Sequence, residues 1–171
     1  MSLWRYCPSD GRHLDIRSEP NIDGARSLNC LGAGDVFCAR QEKQGAGNVL
    51  YLELADGRGW VFDHKPGFGR MCERYFVEEE DGPGSYAIIY DKLEVNRARS
   101  GGEVVGKLAA GGIVLVLEVS QVPEQQKVRA RIEAPAGWIT LVDTSNQLRC
   151  GVKSRKAVQA RSERSACTVW G

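Results

Sequence analysis

The chain has 171 residues, of which 42% are hydrophobic and 26% are charged. This length fits one ordinary domain or two small ones, and the composition fits packed cores with a soluble surface. With 23 basic and 22 acidic residues the net charge is +1, and the charge imbalance is local, unlike a nucleic-acid binder with a broad basic face. No apolar run reaches the roughly 18 residues of a membrane-spanning helix. The first residues contain no apolar signal segment.

The first half of the chain has the pattern of short strands separated by turns. Leu50, Leu52 and Leu54 alternate with less apolar residues, which is the period of a strand with one buried face. The stretch "GAGDVFCA" (32–39) contains a turn followed by a continuous, more buried strand. The stretch "LADGRGWVFD" (54–63) then makes a glycine-rich hairpin turn directly before Trp60.

The second half continues in the same way after an acidic, turn-forming linker, "EEEDGPGS" (78–85). Val128, Ala130 and Ile132 alternate with polar residues, and the stretch "EAPAGWITLVD" (133–143) again places glycine before tryptophan. No window has helical period, so the sequence predicts an all-β protein. The tail, residues 153–171, is basic and has no strand period.

These two halves contain an internal repeat. Leu14 and Leu93 open the copies, and Trp60 and Trp138 follow them at nearly equal distances. The segments "CLGAGDVF" and "KLAAGGIV" match between these anchors, and a cysteine follows each tryptophan at the same spacing. A repeat of this length predicts one small domain per copy.

The repeated motifs resemble those of SH3-like barrels of the bacterial type. The stretches "LDIRSEP", "GAGDVFCA" and "GRGWVF", with "AAGGIVLVL" and "AGWITL" in the second copy, are similar to that family's first strand, glycine turn and Gly-Trp signature. The resemblance implies two consecutive small SH3-like barrels at 1–77 and 86–152, with the linker at 78–85 and the tail at 153–171. Both copies lack the Tyr-rich segment and the paired tryptophans of proline-binding SH3 domains, so we do not expect an aromatic groove for a polyproline ligand.

Candidate binding residues lie on or beside these strands. Each tryptophan either covers one end of a barrel beneath the first loop or stacks a ligand. Arginines on the solvated strand faces of the second copy either bind a carboxylate or phosphate or form scattered ion pairs. The candidates for contacting a ligand or partner are Arg17, Tyr51, Glu53, Trp60, Arg97, Arg99, Arg129, Arg131 and Trp138.

The basic tail is a second candidate surface. It could pair with the acidic linker, be held by a larger partner, or be a solvated terminus or the start of a further linker. Its candidate contact residues are Lys153, Arg155, Lys156 and Trp170.

No residue pattern indicates catalysis, a cofactor or a metal site. His13 and His64 have no cysteine within four positions, and Cys7 and His13 have no identifiable orienting group. The six cysteines form no CxxC motif, and we expect reduced, mostly buried thiols in an intracellular, cytoplasmic protein.

The sequence therefore predicts a non-enzymatic interaction or scaffolding module. We expect it to bind a protein or peptide, or to be a small subunit of a larger assembly. Two alternatives stay open. One is an exported cell-wall or glycan-binding module, whose six cysteines would form disulfides and whose targeting segment would have been removed. The other is a set of accessory domains from a larger enzyme.

Overall fold

The computed structural model describes residues 1–154, which form strands and turns. Two short 3₁₀ turns, Ala46–Asn48 and Pro123–Gln125, are the helical elements of this part of the chain. The all-β prediction is confirmed. The chain divides into two compact units, the first running from Met1 to Phe76 and the second beginning at Val77. Residues 1–154 include no helix with the length and apolar character needed to cross a membrane.

The first unit is built on one antiparallel sheet. Its strands are β1 Ser2–Tyr6, β2 Leu14–Arg17, β3 Arg26–Leu31, β4 Val36–Gln44, β5 Leu50–Leu54, β6 Trp60–Phe62, β7 His64–Lys65, β8 Gly69–Arg70 and β9 Cys72–Arg74. The sheet has the order β3-β2-β6-β5-β4-β1-β9, and β7 pairs with β8 in a separate hairpin.

The second unit is built on another antiparallel sheet. Its strands within the described residues are β10 Gly84–Ile88, β11 Leu93–Ala98, β12 Gly101–Leu108, β13 Ile113–Val122, β14 Lys127–Ile132, β15 Gly137–Asp143, β16 Leu148–Arg149 and β17 Gly151–Lys153. The order is β12-β11-β15-β14-β13-β10-β17, and β16 pairs with β15 beside this path.

The two sheets have the same strand order when β1–β6 are matched to β10–β15 and β9 is matched to β17. The register supports this correspondence. Trp60 lies opposite Arg17 and Glu53, and Trp138 lies opposite Asn96 and Arg131. The pairing of β4 with β5 is also interrupted at the same point as that of β13 with β14, by a bulge-like shift. Positions in one unit can therefore be compared with defined positions in the other.

Each unit buries an apolar cluster of its own. Leu52 and Val61 are fully buried in the first unit, as are Ile132 and Ile139 in the second. Burial of a large aliphatic side chain stabilises a fold by about 1.5–3 kcal/mol. Alternate residues of the same strands lie on the opposite face of the sheet, which we call the outer face.

Two domain boundaries differ from the sequence prediction. The sequence predicts Gly84 and Ser85 in the linker, but they begin β10 and pair with β13. It predicts Lys153 in the tail, but this residue ends β17 and lies opposite Tyr86. The remaining residues assigned to the tail, from 155 onward, lie outside the described residues.

The glycine before each tryptophan is explained by a close approach of backbone. A Cβ atom at Gly59 would overlap the carbonyl oxygen of Arg17, and Gly59 has a φ of +132°. A Cβ atom at Gly137 would lie 2.7 Å from the carbonyl oxygen of Asn96, the residue equivalent to Arg17. The Gly-Trp motif therefore lets β6 approach β2 in the first unit and β15 approach β11 in the second.

We predict that Gly59→Ala strongly destabilises the first unit. The reason is that the substitution adds a steric overlap to an unfavourable φ, which together should cost about 3 kcal/mol or more. Urea denaturation followed by circular dichroism measures the change in the free energy of unfolding.

Gly57→Ala is the matched control. Gly57 also has a positive φ, +83°, but no atom lies within 4 Å of its added Cβ. Its loss should be only about 1–2 kcal/mol, the cost of left-handed backbone for an L-residue. Equal losses for the two variants would contradict the close-approach explanation.

Candidate binding surface

The outer face of the first unit brings four of the candidate residues together. Glu53 of β5 lies opposite Trp60 of β6, and Trp60 also lies opposite Arg17 at the end of β2. Tyr51 is next on the same face and lies opposite Phe62. Both Tyr51 and Trp60 are partly buried.

Arg17 is a buried residue that holds the first loop. The residue is only 6% exposed, and its Nε donates to the carbonyl oxygen of Ile22 at 2.7 Å. Nη1 donates to the carbonyl oxygen of Asp15. The guanidinium also lies 5.5 Å from the centre of the Phe62 ring, within cation–π distance. Burial lowers the pKa of Arg17, and nearby Arg26 lowers it further.

Glu53 forms an ion pair across the sheet instead of presenting a free carboxylate. Arg40 Nη2 donates to Glu53 Oε1 at 2.5 Å, from the strand β4 that lies beside β5. This hydrogen bond lowers the pKa of the Glu53 carboxyl. The outer face of the first unit is thus filled mainly by aromatic rings and by charges that already have partners.

The outer face of the second unit is polar where that of the first is aromatic. Arg129, predicted to lie on a solvated face, is instead only 4% exposed. Its Nη1 donates to Thr140 Oγ1 and its Nη2 to Asn96 Oδ1, both at 2.8 Å. Its Nε donates to the carbonyl oxygen of Arg99 at 3.1 Å. The prediction failed because the turn after β11 covers this position. Burial lowers the pKa of Arg129.

The two units place a buried guanidinium on the same face but supply it from different strands. By register, Asn96 corresponds to Arg17, Arg129 to Tyr51, and Thr140 to Phe62. The set of arginine, tyrosine and phenylalanine in the first unit is thus replaced by asparagine, arginine and threonine in the second. In both units the guanidinium donates to a backbone carbonyl of the segment that follows β2 or its equivalent β11.

The ion pair beside each tryptophan is reversed in polarity between the units. Arg131 corresponds to Glu53 and lies opposite Trp138, and its Nε donates to Glu118 Oε2 of β13 at 3.2 Å. In the first unit the acid stands on the tryptophan's neighbouring strand and the base on the next strand. In the second unit the base stands on the neighbouring strand β14 and the acid on the next strand β13, where by register Glu118 corresponds to Gln41.

Two further arginines of the second unit are exposed at the end of β11. Arg97 Nε donates to Glu103 Oε2 at 2.9 Å, so its charge is paired. Arg99 Nη1 donates to the hydroxyl of Ser120 at 2.9 Å. Within residues 1–154, no carboxylate lies at ion-pair distance from Arg99 or from Arg129.

The acidic residues before β10 pair with the last strands of the second unit. Arg149 makes two hydrogen bonds of 2.9 Å to the carboxylate of Asp81, and Lys153 Nζ lies 3.6 Å from Glu79. Lys153 is therefore one tail candidate that contacts the acidic linker. The other tail candidates, Arg155, Lys156 and Trp170, lie outside the described residues.

The cysteines differ from the prediction of reduced thiols at one position. Cys7, Cys38, Cys72 and Cys150 form no disulfide bond, whereas Cys30 is disulfide-bonded. Burial raises the pKa of the Cys7 and Cys72 thiols, which disfavours the reactive thiolate. Among residues 1–154 no group of three or more His, Cys, Asp or Glu side chains is placed to hold a metal ion.

Several residues that contact the buried arginines of the two outer faces are not among the candidates identified from the sequence. Asn96 and Thr140 accept from Arg129, and Ile22 accepts from Arg17. The only sequence signal for them is alignment of the repeats, which places Asn96 and Thr140 at the positions of a large residue in the other copy. A small polar residue at the position of a larger one, such as Thr140 at the position of Phe62, indicates that a neighbouring side chain also differs between the copies. Here that neighbour is Arg129.

Comparison of the chain with protein-family models, curated proteins and solved structures finds no match. The resemblance to SH3-like barrels therefore depends on the repeated sequence motifs alone.

We predict strong energetic coupling between Asn96 and Arg129. Removing Asn96 leaves an N–H group of the buried Arg129 unsatisfied, which costs about 1–3 kcal/mol, and removing Arg129 deprives the half-buried Asn96 of this donor. A cycle of Asn96→Ala, Arg129→Ala and the double variant should give a coupling energy above about 1 kcal/mol by urea denaturation.

The exposed pair Arg97 and Glu103 is the control for this cycle. Both side chains are largely solvated, so their cycle should give about 0.2–1 kcal/mol. Additive losses at Asn96 and Arg129 would contradict the shared role of the buried hydrogen bond.

Proposed function

We propose that the protein is a non-enzymatic interaction module made of two SH3-like barrels in tandem. Support comes from the shared strand order of the two sheets, from a separate apolar core in each unit, and from the glycine before each tryptophan. An internal duplication that kept these features would give two rigid platforms in one chain. Loops on a rigid scaffold are the usual positions for recognition.

The divergence of the two outer faces carries the proposal. The features that both units share are those needed for folding, namely strand order and backbone approach. The features that differ lie beside the partly buried tryptophans, where Tyr51 and Glu53 are replaced by Arg129 and Arg131. We infer that the two units present different chemistry to a protein or peptide partner.

A nucleic acid is a poor candidate for this partner. Two of the arginines on and beside the outer face of the second unit are paired with acids, Arg97 with Glu103 and Arg131 with Glu118. The carboxylates that lie between these arginine side chains would repel a continuous phosphate backbone. A protein surface or peptide carries isolated charges that can match such a pattern.

Affinity capture with self-competition tests the proposed function. The full chain is immobilised and exposed to native extract, with and without an excess of the free chain. A specific partner should be displaced by the free protein and should bind the purified chain in calorimetry. The finding that no captured protein is displaced would contradict the proposal.

A second candidate, an exported cell-wall or glycan-binding module, is favoured by one observation. Cys30 is disulfide-bonded, and disulfides persist mainly in oxidising compartments. The four cysteines that form no disulfide bond favour the intracellular setting, because small exported domains commonly pair their cysteines.

Alkylation mapping of the protein from its native source distinguishes these settings. In denaturant without reductant, iodoacetamide should label Cys7, Cys38, Cys72 and Cys150 but leave Cys30 unlabelled. Mass spectrometry of the peptides measures the labelling, and a reduced sample is the control. Labelling of Cys30 before reduction would remove the support for the exported candidate.

A further inference from the structure

Two arginines on the outer face of the second unit lack an acidic partner within the described residues. Arg129 is buried, and its acceptors are the hydroxyl of Thr140, the side-chain carbonyl of Asn96 and backbone carbonyls. Arg99 is exposed and donates to the hydroxyl of Ser120. All of these acceptors are neutral, so neither positive charge is balanced locally.

The two side chains belong to one cluster. Ser120 lies directly opposite Arg129 in the pairing of β13 with β14, so both side chains lie on the same face. The backbone carbonyl of Arg99 accepts from Arg129 Nε, while the Arg99 guanidinium reaches Ser120. The exposed guanidinium of Arg99 is thereby held close to the buried charge.

The first unit differs in having carboxylates near its buried guanidinium. Burial and the neighbouring Arg26 lower the pKa of Arg17, and the nearby Asp15 and Asp23 carboxylates partly oppose this effect. For Arg129, burial is the cause of the lowered pKa, with no compensating carboxylate. A charge held in this way attracts an external anion more strongly than a solvated charge does.

We propose that Arg99, Arg129 and Trp138 form a binding site for an acidic peptide, with Arg99 donating directly to a peptide carboxylate. This inference rests on the proposed interaction function and assigns its ligand class. Arg129 contributes charge from beneath the surface. Trp138 is partly buried on the neighbouring strand β15 and packs an apolar side chain of the peptide next to the acid.

The surroundings favour a single carboxylate over a polyanion. Glu118 and Glu103 flank the cluster through their pairs with Arg131 and Arg97. Their negative charges oppose a chain of phosphates more than an isolated carboxylate. In the first unit Tyr51 stands in the place of Arg129, so we expect no equivalent site there.

Titration of the ¹⁵N-labelled full chain with a synthetic peptide tests the site. The probe is Ac-Ser-Gly-Glu-Leu-Glu-Gly-Ser-NH₂, and its controls are the same peptide with glutamine for both glutamates and inorganic phosphate. We expect saturable shifts at the amides of Arg99 and Ser120 and at the indole N–H of Trp138, with the acidic peptide binding more tightly than either control.

Arg99→Gln should weaken binding of the acidic peptide about tenfold, as expected for loss of one charge-assisted hydrogen bond. Arg12→Gln is the matched control, because it removes the same charge from a side chain of the first unit that is 86% exposed. It should leave the affinity unchanged.

Equal effects of the two substitutions, equal binding of the glutamine peptide, tighter binding of phosphate, or no saturable shift would each overturn the site. These results are separable from the proposed function. A partner identified by capture that binds the Arg99→Gln chain unchanged would keep the interaction function and reject only the acidic-peptide site.

Discussion

On the outer face of each unit a buried arginine, Arg17 or Arg129, donates hydrogen bonds to neutral acceptors. These bonds hold the segment that follows β2 in the first unit and β11 in the second. An arginine removed from water is stable only when its N–H groups find acceptors. In both units backbone carbonyls supply part of this requirement, from Ile22 in one and Arg99 in the other. Because the acceptors belong to the covering segment, burial of the arginine and the position of that segment are set together.

Arg17 lies on β2 whereas Arg129 lies on β14, which is not the equivalent strand. The buried guanidinium must therefore occupy a particular place on the outer face, but it need not come from a particular position in the sequence. A guanidinium can reach the same part of the outer face from β2 or from β14, provided that its neighbours change to match. In the first unit the space beside it is filled by Phe62, against whose ring the cation lies. In the second, Thr140 and Asn96 are small enough to leave space and polar enough to accept hydrogen bonds. Three positions have therefore changed together, and each alone would leave either a cavity or an unsatisfied donor.

The sequence was sufficient for features that depend on local pattern and insufficient for those that depend on what covers a strand. Alternation at Leu50, Leu52 and Leu54 correctly predicts a half-buried strand, since alternate side chains must face opposite sides. The same rule places Arg129 and Arg131 on one face, as observed, but cannot say that one is buried and the other exposed. That difference arises because the turn after β11 covers Arg129. Similarly, a continuous apolar run is typical of a strand buried on both faces, yet Leu115 and Leu117 in such a run of β13 are 41% and 37% exposed.

The second unit differs from the first chiefly in where its charges are balanced. The ion pair beside Trp60 and the pair beside Trp138 join equivalent strands with opposite signs, although by register Glu118 corresponds to Gln41 and not to Arg40. Such an exchange alters the local field without altering net charge or stability to a large extent, because exposed pairs contribute little to folding. The unbalanced charge of Arg129 is of another kind, since a buried cation lies in a medium of low dielectric and is poorly screened by salt. A fold can keep such a charge by hydrogen bonding it to neutral groups, and its field then remains available at the surface above it. For this reason the cluster of Arg99 and Arg129, which has no acidic partner within the described residues, distinguishes the outer face of the second unit from that of the first.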